Sequence, residues 1–266
     1  MFKKLVKYDF KSVGKWYLLL NAITLAIALL LGFAISNFSN YEETQYSFGV
    51  SQASSVLNSV LILSFGILIS AVIISTLVIV VNRFRTNVLG REGYLTLTLP
   101  ASIHEIILSK LCVATLLTFF NIFVIIVSIV LLILPSSGIS EFIEAFKELT
   151  RLFTYGNTYL GLLFFIISSI SGTLMIYFSI AIGQLFNERR LLMAFVAYFG
   201  LFILSSIVGQ YFFGGYVFTQ LIYVASQDYN LIVRNYMLIA IFYSIMTSLL
   251  FYFGTHYIMK NKLNLE

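Results

Sequence analysis

Residues 56–82, VLNSVLILSFGILISAVIISTLVIVVN, decide the fold. No residue in this run carries a charge, and the run exceeds the roughly 20 apolar residues that cross a bilayer as an α-helix. Five further runs share its character: Tyr17–Ile35, Leu111–Leu134, Tyr159–Phe186, Leu191–Phe213 and Tyr236–Tyr257. The composition agrees. Of 266 residues, 60% are hydrophobic and only 10% charged, whereas soluble globular chains carry roughly 25% charged residues. The expectation is an all-α polytopic membrane protein: one transmembrane domain over residues 1–266 with about six transmembrane helices. The single cysteine, Cys112, makes neither an intrachain disulfide nor a multi-cysteine zinc site and reads as a buried small hydrophobe.

Connecting segments then fall at Ser36–Ser55, Arg83–Lys110, Pro135–Thr158, Asn187–Arg190 and Gly214–Asn235. The N-terminus, Arg83–Lys110, Asn187–Arg190 and the C-terminus together hold 13 of the 16 basic residues. The opposite side has Lys147, Arg151 and Arg234 beside Glu42, Glu43, Glu141, Glu144, Glu148 and Asp228. Basic residues accumulate on cytoplasmic loops, so both termini are expected in the cytoplasm. The net charge of +5 is thereby read as topology, with no nucleic-acid partner implied.

Ahead of the first span, residues 1–16 place Lys4, Lys7, Lys11 and Lys15 at helical spacing, with Phe2, Val6, Phe10, Val13 and Tyr17 largely on another face. This pattern predicts an N-terminal amphipathic interfacial helix with lysines toward anionic lipid, making the lipid bilayer a partner. The basic start and Ala34-Ile35-Ser36 imitate a signal peptide, but the apolar run is longer than the roughly 7–15 residues of such a segment. On the other side, residues 140–153 (SEFIEAFKELTRLF) predict a separate extracytoplasmic helix capped by Ser140. Pro100 and Pro135 are read as lying at span edges rather than inside spans.

The chain's own chemistry is sparse. No GxxxxGK[ST] phosphate loop and no G-x-S-x-G elbow occur, so no catalytic residue and no enzyme activity are expected. His104 and His256 are far apart in sequence without clustered acids, which argues against a metal site. The predicted spans hold no Asp, Glu, Lys or Arg in their interiors, where ion-coupled transporters place ionisable groups. Their polar residues are neutral: Asn21, Asn58, Asn121, Ser168, Ser169, Ser171, Thr173, Gln184, Ser205, Ser206 and Gln210. Among these, Asn121, Ser168, Ser169 and Gln184 are candidates for a translocation path or for helix packing. Small residues four apart, Gly66/Ser70, Ser168/Gly172 and Ser179/Gly183, suit close helix approach within one subunit or in a dimer.

The most elaborate polar segment is residues 83–110, RFRTNVLGREGYLTLTLPASIHEIILSK. Gly90-Arg91-Glu92-Gly93-Tyr94 is a glycine-punctuated break. Ser102-x-x-Glu105 is a capping box that predicts a helix start leading into span three. Its charge and aromatics suit a docking surface, beside the plainer reading of a positive-inside connector.

The pattern GREGYLTLTLPAS…IILSK resembles the region after span two in membrane subunits of bacterial ATP-binding cassette exporters, the ABC-2 permease family. Ile180–Arg190 (IAIGQLFNERR) is similar to that family's end of span four. The resemblance covers the layout of the whole chain. It implies a permease of the bacterial plasma membrane, working as a homodimer or heterodimer with separate ATP-binding cassette ATPase subunits. No cofactor is then expected in this chain; ATP and Mg would belong to the partner ATPase. The family's coupling role carries over to Arg85, Leu89, Arg91, Glu92 and Tyr94, and for a second contact to Asn187, Glu188 and Arg189, within segments 83–110 and 187–190. A departure is the Gly214–Asn235 segment, short and aromatic where family exporters of polysaccharide and lipid carry re-entrant helices. Apolar, aromatic-rich walls point to an amphipathic or hydrophobic cargo such as a peptide, antibiotic or lipid. A non-transport membrane scaffold or sensor subunit and an ion-coupled secondary transporter share the topology and remain as alternatives.

Overall fold

The structure, a computed structural model, describes residues 2–11, 15–42, 48–86, 102–154, 157–186, 189–223 and 229–262. Among the described residues the chain forms seven helices and no strand: α1 (Phe2–Lys11), α2 (Lys15–Glu42), α3 (Phe48–Phe84), α4 (Ile103–Thr154), α5 (Thr158–Gly183), α6 (Arg190–Tyr223) and α7 (Tyr229–Asn261). Six of these contain stretches long and apolar enough to cross a membrane: Lys15–Ser36, Ser59–Phe84, Ile103–Pro135, Thr158–Gly183, Arg190–Gly215 and Leu231–Asn261. The protein is an all-α multi-pass membrane protein. Side chains such as Leu63, Ile67 and Leu250, each about two-thirds exposed, face outward as lipid-facing residues should.

Most of the helices run past the predicted spans, although α5 ends three residues short of Phe186. At 1.5 Å per residue, the 37 residues of α3 extend about 55 Å and the 52 of α4 about 78 Å, against a hydrocarbon core of about 30 Å. Pro135 ends the apolar stretch of α4, at a span edge as expected, but the helix itself continues through it. One expectation is corrected: the helix expected separately over 140–153 is the last part of that same element. Span three also starts earlier than Leu111, because α4 opens at Ile103, which brings Lys110 inside its apolar stretch.

The chain divides into two compact units. One comprises Met1–Phe10, Val80–Thr115 and Leu152–Glu266. Its core joins Val80, Phe84, Ile106, Ile107, Leu174, Tyr177, Ile180 and Phe251, with α7 packed along α5. The Phe84 and Tyr177 rings stack with centroids 4.0 Å apart. The other unit comprises Lys11–Ile79 and Leu116–Arg151. Its core gathers Ala28, Leu31 and Phe65, with Leu131 and Leu132 against them. Pro135 has no N–H to offer Leu131 O, the usual partner four residues back. Gly32 of α2 sits against that exposed backbone: a Cβ there would lie 2.7 Å from both Leu131 O and Leu132 O. The missing side chain lets α2 cover the Leu131 carbonyl that the proline leaves without its usual donor, and weak Cα–H···O contacts suit such an approach.

Candidate functional site

Polar and charged side chains collect where α1 meets the end of α3 and the start of α4. Asp9 is the buried residue of α1, at 4% exposure, and its carboxylate pairs with Lys110 Nζ at 2.5 Å. Lys110 is equally hidden, at 6%. The Arg83 guanidinium donates to the Asp9 carbonyl, so α1 is held through both side chain and backbone. Two ions out of water cost several kcal/mol each, roughly offset only when paired and hydrogen-bonded. Lysines 3, 4, 7 and 11 point away, exposed, and so do Phe2, Tyr8 and Phe10. The expected division of α1 into a lysine face and an apolar face therefore omitted the residue that seats it. A lone acid among five lysines was the available signal.

The first expected coupling segment, residues 83–110, contributes Arg83 and Lys110 to this seat. Arg85 is exposed, just past the end of α3. Leu89, Arg91, Glu92 and Tyr94 lie outside the described residues, as do Asn187 and Glu188. The predicted capping box is present: Ser102 N donates to Glu105 Oε2 at 3.1 Å, and Glu105 N to Ser102 Oγ at 3.2 Å. Two orphan donors of α4 are satisfied reciprocally. Between α5 and α6, Arg189 is exposed and has φ of 52°, a left-handed conformation that costs a non-glycine residue about 1 kcal/mol or more. The turn is tight as well as strained. A Cβ on Gly183 would come within 2.6 Å of Arg190 O and Ala194 Cβ.

The two histidines, far apart in sequence, are neighbours in space. Their rings stack with centroids 4.1 Å apart and planes 17° from parallel. His104 Nδ1 also shares a 2.6 Å hydrogen bond with the Tyr252 hydroxyl. Sequence spacing carried no hint of this, because the pairing joins the start of α4 to the end of α7. Among the described residues no group of three or more His, Cys, Asp or Glu stands ready to hold a metal ion.

The neutral intramembrane candidates separate. Asn121 is 5% exposed and belongs to a polar cluster of α2, α3 and α4. Tyr17 Oη donates to Asn121 Oδ1 at 2.7 Å, Asn121 Nδ2 donates to Thr76 Oγ1, and Asn21 Nδ2 donates to Tyr17 O at 2.8 Å. Ser168, Ser169 and Gln184 fall in the other compact unit. Ser168 is exposed, Ser169 Oγ bonds Ile166 O of its own helix at 2.9 Å, and Gln184 closes α5 through its backbone. Their neighbour Ser171 is the one that reaches across, to Thr247 Oγ1 at 3.0 Å. Of the small-residue pairs, a Cβ on Gly66 or Gly172 would meet nothing within 4 Å among the described residues, so neither lies against a described helix. Compared with protein-family models, curated proteins and solved structures, the chain matches none.

Proposed function

We propose that this multi-pass protein is the transmembrane permease subunit of an ATP-binding cassette exporter. It would work in the bacterial plasma membrane with both termini cytoplasmic, paired with a like or related permease. Separate ATPase subunits would supply the energy, since the sequence has no phosphate loop of its own. The cargo best suited to apolar, aromatic walls is amphipathic or hydrophobic: a peptide, an antibiotic or a lipid.

One observation carries the reading. Both chain ends that flank residues 87–101 are firmly held: α3 through Arg83 on the Asp9 carbonyl and Phe84 on Tyr177, α4 through its capping box and the Lys110–Asp9 pair. A partner docked on the segment between them would bear directly on two anchored helix ends and so on the spans. The Asp9–Lys110 pair also fits this role better than ion coupling. Lys110 stands about 10 Å from the start of α4 at 1.5 Å per residue, near one end of a 33-residue apolar stretch rather than at its middle.

The test is to purify the tagged chain from its native membranes and assay ATP hydrolysis, then repeat with Glu92→Ala and Tyr94→Ala. The expected result is vanadate-sensitive hydrolysis that co-purifies with the chain and falls at least tenfold in the variants. Hydrolysis absent from the preparation, or unchanged by both substitutions, sinks the proposal and favours a scaffold or sensor subunit.

A further inference from the structure

We infer that His104, His256 and Tyr252 form a proton-responsive clasp between the start of α4 and the end of α7. The chain has two histidines in 266 residues, separated by 151 others, and the fold stacks one on the other with ring centroids 4.1 Å apart. His104 is the second residue of α4 and is exposed; His256 lies five residues before the end of α7 and is half-buried. Both helices carry apolar stretches of more than 30 residues, about ten more than a bilayer requires, so these ends reach water and its protons.

Stacking of this kind holds while at most one ring is charged. Protonating both puts two like charges about 4 Å apart, at the positive N-terminal end of α4. The neighbouring charges relieve this only in part. On α7, Lys260 adds a further positive charge one turn beyond His256, and Tyr252 is neutral. On α4, the Glu105 carboxylate keeps its negative charge beside His104 but accepts from the Ser102 backbone N–H rather than from either ring. Of the helices packed on α7, α5 turns Tyr177 to Phe84, and α6 sets Tyr198 against Phe199. The Tyr252 bond survives either state: His104 Nδ1 accepts from the phenol when bare and donates to its oxygen when protonated. The His104–His256 stack is thus the charge-sensitive contact, and its opening frees the end of α7 from the start of α4. Metal chelation is a poorer use of the pair. Nearly parallel rings hold their nitrogen lone pairs side by side, whereas a metal needs them to converge at about 2.1 Å.

The inference stands whether or not the chain is an exporter subunit. It is tested on the full chain in nanodiscs, with spin labels at Leu108→Cys and Tyr257→Cys in a Cys112→Ser background. Both labelled positions are exposed. The α4–α7 distance distribution is measured from about pH 7.5 to about pH 4.5, low enough to protonate both rings against their mutual repulsion. Histidine-labelled NMR follows the two imidazoles in the same samples. The expected result is a longer-distance population that grows at least about fivefold on acidification, the factor set by two charges 4 Å apart in water. In His104→Gln and His256→Gln that growth is lost. A distance that stays constant while both imidazoles titrate overturns the inference, as do imidazoles that fail to titrate in this range. An acid-induced change that persists unaltered in His256→Gln overturns it equally.

Discussion

Removing Asp9 should release α1 from the rest of the chain. Asp9 and Lys110 are 4% and 6% exposed and 2.5 Å apart, so solvent screens their attraction little. Removing one partner of such a pair leaves an uncompensated buried charge, at a cost of about 3–5 kcal/mol. At 1.4 kcal/mol per tenfold, this shifts the docking equilibrium of α1 by a factor of about a hundred to a few thousand. Arg83, bonded to the Asp9 backbone carbonyl and lying near the Asp9 charge, still holds part of the seat in each single variant, so the lower end of this range is expected. The assay is amide hydrogen exchange of Phe2–Lys11 in the purified full chain. Asp9→Ala and Lys110→Ala should each accelerate exchange across α1 by at least a hundredfold while the helices of the Tyr17 cluster keep their protection. Asp9→Leu combined with Lys110→Met should recover most of it, because replacing both ions by apolar groups of similar volume is nearly neutral. Exchange within threefold of the parent in both single variants, or no recovery in the double variant, would refute this account of the seat.

Other substitutions have equally definite outcomes. Gly32→Ala drives a methyl to 2.7 Å from two carbonyl oxygens and 2.9 Å from Pro135; it should destabilise by about 1–3 kcal/mol and lower the thermal midpoint. Gly66→Ala, with nothing within 4 Å, should be neutral or stabilising by up to about 1 kcal/mol in the same measurement. Tyr17→Phe removes the bond to Asn121 and should cost roughly 0.6–1.7 kcal/mol, the range for hydrogen bonds between membrane helices, read from denaturant unfolding in detergent. Arg189→Gly relieves the φ of 52° and should stabilise by about 1 kcal/mol, while weakening any ATPase stimulation measured with the partner present.

The spans were legible in the sequence because lipid imposes a single requirement, an uncharged run long enough to close its own backbone hydrogen bonds. Every predicted span overlaps an observed apolar helix, and the Ser102/Glu105 box is local enough to read directly. Helix ends were read short because polar residues beyond the hydrocarbon, as in α3 and α4, sustain a helix without being apolar. Pro135 was read as a span edge, which it is, but the helix runs on through it. In the membrane the neighbouring Gly32 backbone shelters the carbonyl it frees. Of the four intramembrane candidates, only Asn121 proved to anchor a cluster joining three helices. Its partners Tyr17 and Thr76 looked like ordinary span residues, and only the packing of α2, α3 and α4 brings them together. Asp9 with Lys110 and His104 with His256 were illegible for the same reason. Each pair joins residues more than 100 positions apart, and no periodicity on either element encodes its partner.

The central claim is that the motor for this protein is another polypeptide, and ATP hydrolysis measured in two preparations tests it most directly. The chain expressed alone and purified should hydrolyse no ATP. The chain captured from its native membranes should carry an ATPase that is lost when Glu92 and Tyr94 are both replaced by alanine. Hydrolysis by the chain alone, or a native preparation with none, would contradict the account.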